Sequence, residues 1–209
     1  MGVGKLNLDK KPADMATKQA AAAVGQCELM YIYDKMFGEY NHTVAQILLT
    51  DHDVDNEIHK ENIKSTINRL LELGVIPIIN ENDSVSTSEI DAVHVLGDND
   101  TLASIVAVLI DADMLILMSD IDGLYTADPR KDPNAELIHV VKELTPELLE
   151  AAGGSGSALG TGGMRTKLSA AKRVCEAGID MVITNGDTPK NLYGIVAGES
   201  IGTKFLKKQ

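Results

Sequence analysis

Two rhythms of apolar residues alternate along this chain of 209 residues. In DNEIHKENIKSTINRLLELG, residues 55–74, Ile63, Ile67, Leu70 and Leu71 recur at helical spacing and the pattern stops at Gly74, which predicts an amphipathic helix closed by a glycine. VIPIIN follows at once, short and almost wholly apolar, and predicts a buried strand. TVAQILLT at 43–50, MLILMS at 114–119 and IDMVIT at 179–184 have the same character, and a last strand falls near 202–206. Helices are predicted over the alanine-rich 13–37, from about Thr101 to Asp111, over 145–152, over MRTKLSAAKRVCEAG and over 188–197, with a turn at Asn185 and Gly186. SVSTSEIDAVHV is polar and broken and reads as a hairpin or flap. DIDGLYTADPRKDPNAEL, punctuated by glycine and two prolines, reads as a long loop, and a loop of that length in a compact domain usually has a task.

Strands separated by helical segments imply an α/β protein with a mainly parallel sheet and helices on both faces. No internal repeat interrupts the order. The glycine-rich GGSGSALGTGGM sits between two elements of one pattern, so residues 1–209 read as a single domain.

Composition narrows the function. Thirty-one acidic against nineteen basic residues leave a formal charge of -12, which argues against a nucleic-acid binder, since phosphates must be neutralised by lysine and arginine. Cys27 and Cys175 have no partner at zinc spacing, so neither a disulfide framework nor a structural metal site is indicated. No signal-like opening and no apolar run of membrane length occur, and the expected address is the cytosol. DHDVDNE at 51–57 opens like a calcium loop but has asparagine at the sixth and twelfth positions, and reads as a solvated loop and helix cap. His42, His52, His59, His94 and His139 share no metal spacing and fit no Ser-His-Asp order.

Four segments remain as candidates for chemistry. GTGGMRTK, Gly160 to Lys167, sets glycines before a helix with a lysine in its first turn, and close backbone amides, a helix N-terminus and a full positive charge together make a phosphate cradle. The spacing is not that of a P-loop, and a glycine loop with a solvated lysine is the plainer reading. Ser119 and Asp120 end a buried strand, where ligands bind in open α/β sheets, although Asp and Gly also simply make turns. INEND, Ile79 to Asp83, gathers amides and carboxylates that can hold a small zwitterion by its ammonium group, or an ordinary polar turn. Asp98, Asn99 and Asp100 precede an apolar helix that needs a single capping side chain. The other two exceed that need and are read as facing a cation: a substrate ammonium, a lysine or a metal.

Taken in order, GVGKL, KQAAAAVGQ, AQILLT, NRLLELGVIPIINEND, GDNDTLAS, SDIDGLYTADPRKDP and GTGGMRTKLSAAK resemble the amino acid kinase family, in particular its members that phosphorylate the side-chain carboxylate of L-glutamate in proline synthesis. The resemblance runs from about Gly2 to Phe205. It implies a three-layer sandwich around a mainly parallel central sheet, with ATP and Mg2+ as cofactors. Asp83, Asn99, Asp98 and Asn80 are implied to bind glutamate. Ser119, Asp120, Thr161, Gly162, Gly163, Met164, Arg165, Thr166 and Lys167 are implied to bind nucleotide, with Lys167 catalytic and Asp100 ordering it. A homodimer or homotetramer and proline feedback inhibition are implied, and neither nucleic acid nor membrane is expected as a partner. In the family a lysine-bearing strand, a Gly-Ser turn and a Ser-Ser-Gly-Ala segment precede the counterpart of GVGKL. The present sequence opens at GVGKL, so the first strand and a second catalytic lysine are expected to be missing from it. The RNA-modification-type domain that ends some members is not expected either. Two other readings stay open: a binding or regulatory module without transfer activity, and a related kinase acting on acetylglutamate, aspartate, carbamate or UMP.

Overall fold

In the computed structural model, which describes residues 1–10, 12–85, 96–145, 148 and 163–208, the chain divides into two units, Met1–Leu96 and Gly97–Gln209. The first contains α1 (Gly2–Lys5), α2 (Met15–Gly38), β1 (Val44–Leu49), α3 (Asp51–Asp55), α4 (Glu57–Glu72) and β2 (Ile76–Glu81). Asp14 starts α2 by accepting a hydrogen bond from the Thr17 amide at 2.8 Å, an ordinary N-cap. The small residues of this helix allow α1 to approach closely: a Cβ on Gly2 would lie 1.7 Å from the Ala21 carbonyl oxygen. At α4 the cap is Asn56, whose side chain accepts from the amides of Ile58 and His59. That helix buries Ile67 completely and ends before Gly74, whose φ of +71° is the left-handed turn a glycine accommodates without strain.

β1 and β2 pair in parallel from Val44 opposite Ile76 to Leu49 opposite Glu81. Their carboxyl ends therefore lie side by side, and the Asn82 amide donates to the Leu49 carbonyl at 2.7 Å. The stretch 51–57, expected to be a solvated loop and helix cap, does hold the Asn56 cap of α4, but Asp51–Asp55 form the short helix α3 in place of a loop. Thr50 and Asp53 make a reciprocal capping box three residues apart, enough to close one turn where no apolar period announces it.

The second unit contains α5 (Asn99–Leu109), β3 (Met114–Ser119), β4 (Val140–Val141), α6 (Met164–Glu176), β5 (Asp180–Asn185), α7 (Asn191–Val196) and β6 (Thr203–Phe205). Its sheet has the order β3-β5-β6-β4, with β3 parallel to β5, β4 parallel to β6, and β5 antiparallel to β6. Four successive residues of β5, Met181 to Thr184, are buried, as expected of a strand covered on both faces. Leu117, Leu168, Ala171, Val174, Met181, Ile183 and Phe205 form the core between the sheet and its helices. β4 went unpredicted because a two-residue strand has no period to detect. It is held from outside: the buried Thr203 hydroxyl accepts from the Leu124 amide at 2.8 Å and donates to the Ile138 carbonyl at 2.6 Å, tying the long loop to β6. Most of the helix expected over 145–152, most of the glycine-rich segment and most of the flap lie outside the described residues.

Candidate active site

The three polar residues ahead of α5 divide their labour. Asp98 is the N-cap: its carboxylate accepts from the Thr101 amide at 2.9 Å and from the Thr101 hydroxyl at 3.1 Å. Asn99 is exposed. Asp100 turns to α6, where its Oδ2 accepts from Lys167 Nζ at 2.8 Å and from the Thr166 hydroxyl at 3.1 Å. Lys167 is 8% exposed, and a lysine so buried needs a partner for its charge. Asp100 holds that ammonium in one place in the first turn of α6.

Among the described residues, no side chain caps α6. Gly163 stands at the N-cap in extended conformation, and the Thr166 hydroxyl donates to its carbonyl at 2.8 Å. The first amides of the helix have no capping side chain among the described residues and stand beside a lysine, an arrangement that suits an anion. Met164 is partly buried and Arg165 exposed. Thr161 and Gly162 lie outside the described residues.

Ser119 closes β3 and Asp120 follows it, with the Ser119 hydroxyl donating to the Asp120 carboxylate at 3.1 Å. β5 ends alongside, since Ser119 pairs with Asn185 and the Gly186 amide donates to the Ser119 carbonyl at 2.7 Å. Asp122 joins these two strand ends by accepting from Asn185 Nδ2 at 2.8 Å and from the Tyr125 hydroxyl at 2.9 Å. The bond to Asp122 holds the Tyr125 phenol in its neutral form and raises its pKa. These roles of Asp122 and Asn185 were not read from the sequence; the repeated Asp-Gly and Asn-Gly at strand ends was the available signal.

In the first unit, Asn80 lies at the end of β2 and donates through Nδ2 to Gln26 Oε1 of α2 at 3.0 Å. The Nε2 of Gln26 is buried without a hydrogen-bond partner among the described residues, a costly state for an amide donor. Gln26 is the residue of this site that periodicity could not single out, because it looks like any polar position on an alanine-rich helix. Asp83, two residues beyond β2, keeps contact with solvent, yet partial loss of hydration raises its carboxyl pKa above the ordinary value. An ammonium group brought to it would favour the ionised form and lower that pKa again. The residues expected to bind glutamate thus occur in both units, Asn80 and Asp83 in the first and Asp98 and Asn99 in the second.

Among the described residues, one other group of potential ligands gathers, His52, Asp53 and His59, although the histidines share no metal spacing in the sequence. H-x6-H matches no familiar spacing, but the break between α3 and α4 at Asn56 folds the spacing back on itself. Both cysteines are free, Cys27 exposed and Cys175 buried.

Strand ends bearing carboxylates and amides, a helix start with a buried lysine, and sheets of mostly parallel pairing define a kinase-like α/β protein, and the chain belongs to the amino acid kinase family, whose pattern it matches over residues 3–185. Within that family its sequence is similar to the glutamate 5-kinases. It is 54% identical to the glutamate 5-kinase of Clostridium perfringens over 209 residues, covering all of this chain and 78% of that protein. With the glutamate 5-kinase of Listeria monocytogenes serovar 1/2a the identity is 49% over 211 residues, covering all of this chain and 76% of the relative. Among solved structures, an isopentenyl phosphate kinase matches with a TM-score of 0.63 at 17% identity, over 98% of this chain and 78% of its own. The uridylate kinase of Archaeoglobus fulgidus matches with a TM-score of 0.56 at 18% identity, over 98% and 77%. These last two establish the amino acid kinase fold.

Proposed function

We propose that this protein transfers the γ-phosphoryl group of ATP to the side-chain carboxylate of L-glutamate, giving γ-glutamyl phosphate and ADP, the first step of proline biosynthesis. Similarity to glutamate 5-kinases along the whole of this chain, which spans 78% of the Clostridium perfringens relative, supports the substrate, and the pairing of buried Lys167 with Asp100 at the start of α6 is the observation that carries the chemistry. A glutamate carboxylate is already ionised at neutral pH. Its oxygen attacks the γ-phosphorus, the bond to the β-phosphate oxygen breaks, and no proton has to move. What the reaction needs is positive charge placed in advance where it builds up on the transferring oxygens. Lys167, kept in register by Asp100, and the first amides of α6 are suited to that task. Ser119, Asp120 and residues 161–167 are assigned to the nucleotide; Asn80, Asp83 and Asn99 are assigned to glutamate, with Asp83 facing its ammonium group. Asp98 is assigned mainly to shaping the loop, since its carboxylate already caps α5.

Magnesium fits this donor set in a limited way. Beyond the histidine group, no cluster of three acidic, histidine or cysteine side chains occurs among the described residues, so the ion would be held chiefly by nucleotide phosphates with Asp120 as a candidate protein ligand. It would screen the phosphate charge. The proposal treats both units as one kinase domain, supported by a family match that spans them. It also includes cytosolic location, self-association and a response to proline. No helix among the described residues is long and apolar enough to cross a membrane.

Trapping of the acyl phosphate with hydroxylamine tests the assignment, using L-glutamate and MgATP with this chain and with a version extended to the length of its relatives. Hydroxamate formed from glutamate, and not from aspartate or acetylglutamate, with no ADP released on carbamate or UMP, is the expected result. Product from another acceptor alone would transfer the assignment to that substrate, and binding without product would leave a binding module.

A further inference from the structure

Three side chains of metal-binding chemistry that the kinase reading does not use converge beyond the carboxyl end of β1. His52 and Asp53 belong to α3, and His59 belongs to the first turn of α4. One ligand atom from each lies within 4.8 Å of the other two. Asp53 Oδ1 is 2.9 Å from His59 Nδ1, and the rings of His52 and His59 meet edge to face with centroids 5.2 Å apart. The second oxygen of Asp53 accepts from the Thr50 amide at 2.8 Å and from its hydroxyl at 2.6 Å.

We propose that His52, Asp53 and His59 form a binding site for a divalent transition-metal ion of the class that prefers imidazole, with zinc as its representative. Two imidazoles and one carboxylate supply three positions of a tetrahedral shell, and water supplies the fourth. Ligand atoms around zinc stand about 3.3 Å apart when each bond is about 2.0 Å, so the group has to contract. The exposed His52 side chain has the freedom to provide that movement. Thr50 fills the role of an outer partner, orienting the carboxylate through both of its hydrogen bonds. Magnesium is a poor match, because it demands six oxygen ligands in octahedral geometry, and this site is therefore separate from any ion that arrives with nucleotide.

The ion would add a cross-link between α3 and α4, which are joined in sequence through Asn56. It would also anchor Thr50, which follows β1, and the adjacent Leu49 carbonyl receives the Asn82 amide beyond β2. Occupancy would in this way stiffen the strand ends from which Asn80 and Asp83 extend. The alternative is that Asp53 merely caps α3 and pairs with His59.

Zinc alone, without nucleotide, should be titrated into the full chain in competition with a chromophoric chelator, and cobalt should be added separately to read the visible absorption of a tetrahedral site. One ion per chain is expected. His52→Ala and His59→Ala should each weaken binding by more than the roughly 10-fold to 100-fold that loss of an outer partner alone costs, with unchanged circular dichroism, and should remove the cobalt band. His42→Ala and His139→Ala should bind as the unaltered chain does. Absence of stoichiometric binding would overturn the proposal, as would binding indifferent to either His52 or His59, or equally weakened by the two control variants.

Discussion

Lys167 and Asp100 are 10% and 18% exposed at their side chains, so each depends on the other for the solvation it has lost. Replacing Asp100 by alanine leaves a buried ammonium without its carboxylate and is expected to cost about 3 kcal/mol, read from denaturant unfolding, and to lower turnover at least about 100-fold. The double variant Asp100→Ala, Lys167→Met should recover much of the stability but none of the activity; recovery of neither would show that the pair is not an isolated unit. Asp98 needs a different probe because its cap would confound any truncation. Serine preserves an N-cap, so Asp98→Ser should keep the melting temperature and KM for glutamate close to the starting values, whereas a large rise in KM would assign the carboxylate to substrate. The two cysteines separate by environment. Burial, aided by Asp180 and Glu176, pushes the Cys175 thiol up to about 11, and the reactive species is the thiolate. A thiol reagent at pH 8 should therefore modify Cys27 rapidly and Cys175 only after unfolding; two equally fast thiols would contradict the placement.

Capping and close approach decide the elements. Asn56 accepts two amides at the start of α4, and Asn56→Ala should lower stability by about 1 kcal/mol, measured by thermal unfolding with serine as the conservative control. Gly202 has a sharper requirement: its φ is +70°, and a Cβ there would lie 2.1 Å from the Ile183 carbonyl oxygen in the neighbouring strand. Gly202→Ala therefore has to displace backbone at the β5–β6 pairing, and should destabilise by more than about 2 kcal/mol; a neutral substitution would mean that the strand pair yields freely. At α6 the absence of a side-chain cap among the described residues is informative in the opposite direction. Placing aspartate at Gly163 would cap the helix, yet it would put a carboxylate where a phosphate is proposed to sit.

At the scale of the molecule, charge sets the acid response. Asp53 and Asp180 are partly buried, which alone would raise their pKa values. In both, hydrogen bonds prevail and the pKa falls below 3.8: Thr50 and His59 bond Asp53, while the Lys207 amide and Lys204 bond Asp180. A lowered folded pKa contributes stability above the unfolded value, and the contribution disappears as pH falls through the folded one. Asp83, shifted upward by desolvation, has the opposite sign: its cost at neutral pH is relieved as pH falls through its raised folded pKa. Asp14 and Asp128, at the surface, are also lowered by hydrogen bonds, from Thr17 and Arg130, so with the downward shifts in the majority the melting temperature should fall as pH is lowered from about 5 to 3, the range in which carboxylates lose such contributions. Asp180→Asn should flatten part of that fall, and an unchanged slope would exclude Asp180 as a contributor.

The sequence by itself determined the order of the longer elements and marked the polar residues now proposed for the site. Helical and strand periods are written into neighbours a few positions apart, so the strands at 43–50, 114–119 and 179–184 were legible to within a residue or so of Val44–Leu49, Met114–Ser119 and Asp180–Asn185. Asp98, Asn99 and Asp100 were visible as more polar groups than one cap requires. Which of them capped and which met the lysine was decided by tertiary structure, because Asp100 and Lys167 lie 67 positions apart and only the packing of α5 against α6 brings them together. The same reason hid Gln26 beside Asn80, β4 beside β6, and His52 close to His59. Local chemistry chooses what a segment is, and the burial of charge and backbone among distant segments chooses what it touches.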